Sequence, residues 1–517
     1  MAAEQITYKD VDPKVRKKIM FGPVFMMFIA CFDGTIVGTC GPVIARDLNG
    51  TDLYSWMVTA YMLCETIMIP IAGKLSDLYG RKPLFLIGLV LFAAGSFVAG
   101  MSTNMLMLIS CRAVQGLGGG ILIPVAIAAV ADLYAPQDRA KMQGLLGAVF
   151  GIGSGIGPLF GGYITEYISW HWIFYINIPL AILAYVITIR NFPSPVMGEK
   201  PIIDVRGITF LSLFLLDILL FFEWGGDEVA WVSAESASMI AIATVLLAMF
   251  VMVERRAREP ILSPDLLKNK TVISAAVFMF VFGLAMMGVM MYSSMFAITI
   301  FGITTLEAGE YSLALVFGMM ITATLSGAFV NKTGYRPWLI AGPIISAVGL
   351  FYMSHMDMDT TMGYYLSALF VFGIGLGCIM AVVMTAVQNS SKPSEMGMTI
   401  SAVNLIRSVG ATIGTAVFAF IISGKLNSEL ANKLPPDAYA ALPHDAGVLD
   451  ALATVTDPAI IIGVLESFAN SIDYAFLLGG TIIACLAVIG TAFKAPKAEP
   501  YRVLSALKAS QANQPTL

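Results

Sequence analysis

Fourteen apolar stretches, each about long enough to cross a bilayer as a helix, leave this chain few folds to choose from. They lie near 19–40, 54–75, 83–101, 106–131, 141–163, 172–190, 207–224, 234–253, 273–297, 307–329, 337–355, 362–388, 397–422 and 473–493. In hydrocarbon every backbone N–H and C=O must be bonded internally, so such stretches become helices. Composition agrees: 58% of the 517 residues are hydrophobic and 12% charged, about half the charge of a soluble domain. The net charge of −4 says little about partners. The six cysteines all fall inside expected helices without metal-ligand spacing, which reads as small buried side chains and not a disulfide framework.

The stretches form two related sets. Residues 73–83 read GKLSDLYGRKP and residues 327–337 read GAFVNKTGYRP. Gly73 answers to Gly327, Asp77 to Asn331, Gly80 to Gly334, Lys82 to Arg336 and Pro83 to Pro337, at an offset of 254. Internal repeats of this kind build many secondary transporters. Two six-helix halves would repeat after roughly 200 residues at such helix lengths, so the longer offset leaves room for two extra helices. The expected division is a tail over 1–18, a first bundle over 19–190, a linker with two extra helices over 191–272, a second bundle over 273–493 and a tail over 494–517. The one long loop is expected over about 425–472.

Charge orients the chain. Of 30 Lys and Arg, only Arg46, Lys425 and Lys433 fall on the side opposite the N-terminal tail, and Arg112 and Arg407 lie within spans. Acidic clusters such as Asp227/Glu228 and Asp357/Asp359 sit on that opposite side. The positive-inside rule then places both termini in the cytoplasm of a cell (plasma or inner) membrane. The first apolar segment reads as a full span, not as a cleavable signal.

The 73–82 hairpin combines turn and charge. Gly73 and Gly80 permit a tight turn between antiparallel helices. Asp77 can cap the next element and pair with Arg81 or a neighbouring cation. A topological anchor needs no carboxylate, so the hairpin, with Lys82, reads as a latch that forms in one conformation and breaks in another.

GKLSDLYGRKP resembles the inner-loop signature of the major facilitator superfamily. CRAVQGLGGG at 111–120 is similar to its fourth-helix motif, with Arg112, Gln115 and Gly116 in place. GIGSGIGPLFGG at 151–162, with Gly157, Pro158, Gly161 and Gly162, resembles the fifth-helix antiporter motif. FDGTIVGTCGP at 32–42 and WHWIFYINIP at 170–179 look like the first-helix and sixth-helix motifs of the fourteen-helix drug/proton antiporters, the EmrB/QacA group. Gly38 stands where that group usually has Asn, and His171 where it has Arg. The resemblance implies an all-α integral membrane protein with the major-facilitator fold, two six-helix bundles and two additional helices between them. It also implies proton-coupled export by alternating access.

The residues themselves supply candidates. Ionisable groups inside spans are costly and usually functional; here they are Asp33, Glu65, Arg112, Asp217 and Arg407. At about 1.5 Å of rise per residue, Asp33 and Arg112 come out level and able to pair, while Glu65 and Asp217 fall near mid-membrane. An opposite charge favours an ionised carboxylate and desolvation favours a neutral one. Proton coupling needs a group that alternates between those settings, and Asp33 beside Arg112 is the first choice, with Glu65 the second. A substrate cavity is expected from Glu65, Asp217, Trp56, Tyr61, Asn177, Met287 and Arg407. The methionines at 286, 287, 290 and 291 suit binding of varied apolar molecules. The glycines of the fifth helix let neighbours approach closely, and Gly157-Pro158 is expected to act as a hinge.

No P-loop, selectivity filter, catalytic triad or metal cluster is present in the sequence, which argues against an ATP-driven pump, a channel and an enzyme. The expected partners are small amphipathic molecules, protons and the lipid bilayer, without nucleic acid or cofactor. A periplasmic adaptor is compatible with the sequence but not required by it. A dedicated exporter of one solute, lipid or siderophore, or a proton-coupled importer, would carry most of the same features.

Overall fold

The computed structural model describes residues 13–192, 202–226, 229–263, 266, 268–443, 448–452, 455 and 457–493. Most of both expected tails and the pair Asp227/Glu228 lie outside the described residues. Among the described residues, fourteen helices are long and apolar enough to cross a membrane. The first six are α1 Pro13–Asp47, α2 Tyr54–Tyr79, α3 Arg81–Ala99, α4 Met105–Leu133, α5 Pro136–Tyr167 and α6 His171–Asn191. Two accessory helices follow, α7 Val205–Trp224 and α8 Ala234–Glu254. The second six are α9 Lys270–Phe301, α10 Thr305–Thr333, α11 Arg336–Met353, α12 Met362–Ser390, α13 Met396–Lys433 and α14 Pro458–Ala492.

Short polar residues begin many of these helices by accepting bonds from first-turn amides that have no intrahelical partner. Asn104 accepts from the Met107 amide at 2.9 Å, Asp457 from Ala459 at 2.9 Å and Asn269 from Thr271 at 3.0 Å. Thr304 and Glu307 form a reciprocal capping box at the start of α10. Between helices, Gly80 and Gly334 turn the chain with φ of 87° and 83°, a region that only glycine enters without strain. The two repeat-related glycines thus share one conformation.

The repeat extends to what the turns hold. Lys82 donates to the Ile189 carbonyl at 3.0 Å in the last turn of α6, and Arg336 donates to the Phe493 carbonyl at 2.9 Å just after α14. Each cation therefore fastens the third helix of its half to the sixth. The Lys82 bond ties α3 to α6 within the first half. Arg81 pairs with Asp132 at the end of α4 at 2.8 Å, and its counterpart Tyr335 accepts from Asn389 at the end of α12 at 2.9 Å. The first half makes the contact with charges and the second with neutral groups.

The loop expected over 425–472 is shorter than its polar composition suggests. Helix α13 continues to Lys433 and α14 begins at Pro458. Leu426, Leu430, Val464 and Phe468 are buried, while Lys433 reaches Glu466 at 3.1 Å and Lys425 reaches Glu429 at 2.7 Å. Charge along one face and apolar side chains along the other let both helices extend past the apolar stretch. Of the cysteines, Cys485 is exposed on the surface of α14, because it faces away from the bundle.

The accessory pair lies across the seam between the halves. Leu211, Leu215 and Leu219 of α7 share a buried cluster with Leu63 and Ile69 of α2 and Leu405 of α13. Thr59 of α2 donates to Glu223 of α7 at 2.5 Å, and Lys74 of α2 pairs with Glu259 beyond α8 at 2.7 Å. Helix α8 covers α7 and is mostly exposed, as an apolar helix facing lipid would be.

Candidate functional site

At the centre, α1, α2, α4, α5, α9 and α13 surround a cavity of about 160 Å³. Its wall includes Tyr61, Glu65 and Arg112 from the first half, and Met286, Met287, Met290 and Arg407 from the second. Met291 faces outward and is exposed, because consecutive helical positions point about 100° apart. The guanidinium of Arg407 stands 5.9 Å over the ring of Phe150, and Glu65 lines the same cavity. The first half thus supplies a carboxylate and the second half a cation to one small space.

Behind this wall lies a buried ionic network. Arg112 pairs with Asp33 at 2.5 Å, and both are almost wholly excluded from solvent. Asp33 also accepts from Asn177 at 2.6 Å and from Gln115 at 3.4 Å. Gln115 in turn donates to Ser96 at 2.6 Å and accepts from Arg112 at 3.0 Å. The Arg112 guanidinium sits 4.2 Å over the Tyr61 ring, a favourable cation–π contact. Five helices contribute to these contacts, which satisfy a charge pair whose burial would otherwise be costly.

Several expected residues stand elsewhere. Asp33 is not on the cavity wall; Arg112 stands between it and the space. Asn177 follows an interruption of α6 at Ile176 and holds Asp33 instead of facing the cavity. Asp217 is at mid-span, but α7 lies outside the bundle, so its carboxyl does not line the cavity, and its Oδ2 is buried without a hydrogen-bond partner among the described residues. Trp56 packs edge-on against Trp224 of α7 at 5.9 Å. Depth along a helix is legible from residue number, whereas the helix's place in the bundle is not. Cys31, Phe150 and Ser154 line the cavity without having been singled out as chemistry.

The hairpin at Gly73 joins the two halves. Asp77 accepts from the amides of Gly397 and Met398 at 2.9 and 2.8 Å, at the N-terminus of α13, where the helix dipole favours an anion. It also pairs with Arg81 at 2.7 Å, and Arg81 donates to Ser76. A Cβ on Gly73 would collide with Ser401 and the Gly397 carbonyl. At the repeat-related seam, Asn331 donates to the Gln137 carbonyl at 2.5 Å in the first turn of α5. Gly327 lies there against Ala140 and Gly144.

The α5 glycines separate into two stripes. Gly153, Gly157 and Gly161 pack on α1, within the first half, against Phe28, Phe32 and Ile36. Gly144, Gly147, Gly151 and Gly155 pack on α10, across the seam, against Ala323, Val316 and Leu313. Pro158 lies within the same continuous helix.

The family model for the Major Facilitator Superfamily matches residues 24–415. The chain is 35% identical over 428 residues to Multidrug transporter protein MdtP of Bacillus subtilis (strain 168), covering 83% of this chain and 79% of that protein. It is 31% identical to Multidrug resistance protein 3 of the same organism, covering 91% and 94%. Among solved structures it resembles the proton:xylose symporter XylE, with a TM-score of 0.64, 12% identity and coverage of 96% and 100%. It also resembles the human organic anion transporter MFSD10 (TETRAN), with a TM-score of 0.60, 13% identity and coverage of 92% and 100%. These last two likenesses concern the fold. The chain, with fourteen membrane-length helices among its described residues, is thus a membrane transporter and belongs to the major facilitator superfamily, in its multidrug-efflux family.

Proposed function

We propose that this transporter is a drug/proton antiporter, expelling amphipathic molecules by alternating access as protons enter. The observation that carries the reading is the buried Asp33–Arg112 pair set directly behind a cavity shared by the two halves. A proton on Asp33 would release Arg112 toward the cavity, and loss of that proton would restore the pair. Glu65 and Arg407 then meet the substrate, with Glu65 favouring cations and the methionines accommodating varied apolar shapes. The relatives named as multidrug transporters support the substrate class.

In this reading both termini are cytoplasmic, as the distribution of Lys and Arg indicates. The Asp77 latch then closes the cytoplasmic side. A cavity of about 160 Å³ is below the roughly 300–1,000 Å³ of a drug site, so it must widen when either side opens. The bundles 19–190 and 273–493 would rock about it, with 191–272 bridging them. Gly157, Pro158 and Gly161 would let α5 bend against α1.

The test is substrate-triggered proton flux in energised inside-out vesicles. Dissipation of the pH gradient by several unrelated drugs, lost in Asp33→Asn, is the expected result. Glu65→Gln should lose the response to cations more than to neutral drugs. A folded, inserted protein that answers none of the panel would demote multidrug antiport in favour of export of one endogenous solute, lipid or siderophore. Proton flux accompanying uptake would indicate an importer.

A further inference from the structure

A second carboxyl pair lies away from the central cavity, where the accessory hairpin α7–α8 meets α2. Asp204 caps α7, its Oδ1 accepting from the Gly207 amide at 2.9 Å. Glu254 ends α8, and its Oε1 accepts from the Leu262 amide at 2.6 Å. Each carboxyl has one oxygen left, Asp204 Oδ2 and Glu254 Oε2, and both are buried without a hydrogen-bond partner among the described residues. Glu254 is only 4% exposed. Both leftover oxygens lie within 3.0 Å of the point a Cβ on Gly207 would occupy. Two carboxyl groups have been brought to one spot, and the glycine there leaves room for them.

The surrounding charges do not balance this pair. From α2 comes Lys74, whose ammonium is paired with Glu259 at 2.7 Å. From the turn after α8 come Glu259 itself and Arg255, Arg256 and Arg258, and from α7 comes Arg206; the side chains of all four arginines are exposed. Glu254 lines a cavity whose other walls, from α9 and α13, are apolar, Val272, Ile273, Val403 and Leu405 among them. Neither leftover oxygen is bonded to a cation among the described residues. Two carboxyl oxygens brought to one spot without a cation repel when both groups are ionised, and a proton shared between them removes that repulsion.

We propose that Asp204 and Glu254 form a proton site, one proton lying between Asp204 Oδ2 and Glu254 Oε2, which fastens the accessory hairpin to α2. Glu254 also holds the turn that carries Glu259, so the same proton secures the Lys74–Glu259 bridge. Lys74 is three residues from Asp77. When the proton leaves, the two carboxylates repel, the Leu262 contact loosens and the bridge to α2 loses its anchor. This assignment is independent of whether Asp33 carries the transported proton.

The experiment uses the full-length protein in lipid and two variants, Glu254→Gln and Asp204→Asn. The glutamine amide can donate to Asp204 Oδ2 and so imitates the protonated pair; asparagine keeps the helix cap. Infrared difference spectra between low and high pH should show a carboxylic-acid absorption that wild type loses on alkalinisation and that is missing in both variants. The folded state binds this proton more tightly than the unfolded chain, so its stabilisation is present at low pH and lost as pH rises through the titration of the pair. Accordingly, the thermal transition of wild type should fall over that range while that of Glu254→Gln stays level. An acid absorption unchanged in both variants would overturn the proposal. So would a transition that follows sodium concentration and not pH, because the occupant would then be a metal cation.

Discussion

Asp33 and Arg112 illustrate how burial magnifies the consequence of a single side chain. Removing one partner of a buried ion pair costs about 3–5 kcal/mol, because the other charge stays desolvated and alone. Asp33→Ala should therefore lower the thermal transition of the purified protein markedly. Asp33→Asn should cost less, since the amide oxygen still accepts from Asn177, and the double variant Asp33→Asn with Arg112→Gln should recover part of the loss. A double variant no more stable than Asp33→Ala would mean that the pair does not act as a unit. The level of these two residues in the membrane was legible, because helical rise is constant. Their second ring was not: Asn177 and Ser96 arrive from other helices, and no spacing in the chain connects them to Asp33.

At the scale of the element, α5 carries two roles on one helix. Gly157 meets α1 inside the first half, whereas Gly155 meets α10 across the seam. Overpacking a close contact costs about 1–3 kcal/mol, but the two positions should distribute that cost differently. Gly157→Leu should destabilise the folded protein, read as a lower thermal transition. Gly155→Leu should leave stability nearer wild type and slow transport, because it obstructs the surface along which the halves move. Equal effects of both variants on both measurements would show that the stripes do not divide the labour. The small-residue pattern was plain in the sequence. The division was not, since the stripes differ only in which neighbour each meets, and that depends on the rotation of α5 within the bundle.

Across the whole molecule, the repeat makes two seams of unequal chemistry. Asp77 holds the start of α13 with two charge-assisted bonds, whereas Asn331 holds the start of α5 with a single amide. Hydrogen bonds to charged groups contribute about 1.5–3 kcal/mol each, so Asp77→Ala should shift the balance toward an open cavity by about tenfold or more. Cys31 on the cavity wall provides the measure. In a variant retaining Cys31 alone, its alkylation from the cytoplasmic face of inside-out vesicles should quicken when Asp77 is replaced. Asn331→Ala should quicken it less. An unchanged rate after Asp77→Ala would remove the latch from the account.

The number of helices, the two-fold repeat and the turns at Gly80 and Gly334 follow from the chain alone, because each depends on local terms: apolar length against bilayer thickness, and backbone freedom at glycine. Tertiary structure decided which buried charges share a space. Glu65 and Arg407 meet in one cavity, Asp217 is carried outside by α7, and Asp204 and Glu254 are joined where α7, α8 and α2 converge. The physical reason is that a membrane helix has its length set by hydrocarbon, but its neighbours and its rotation are set by packing between whole surfaces.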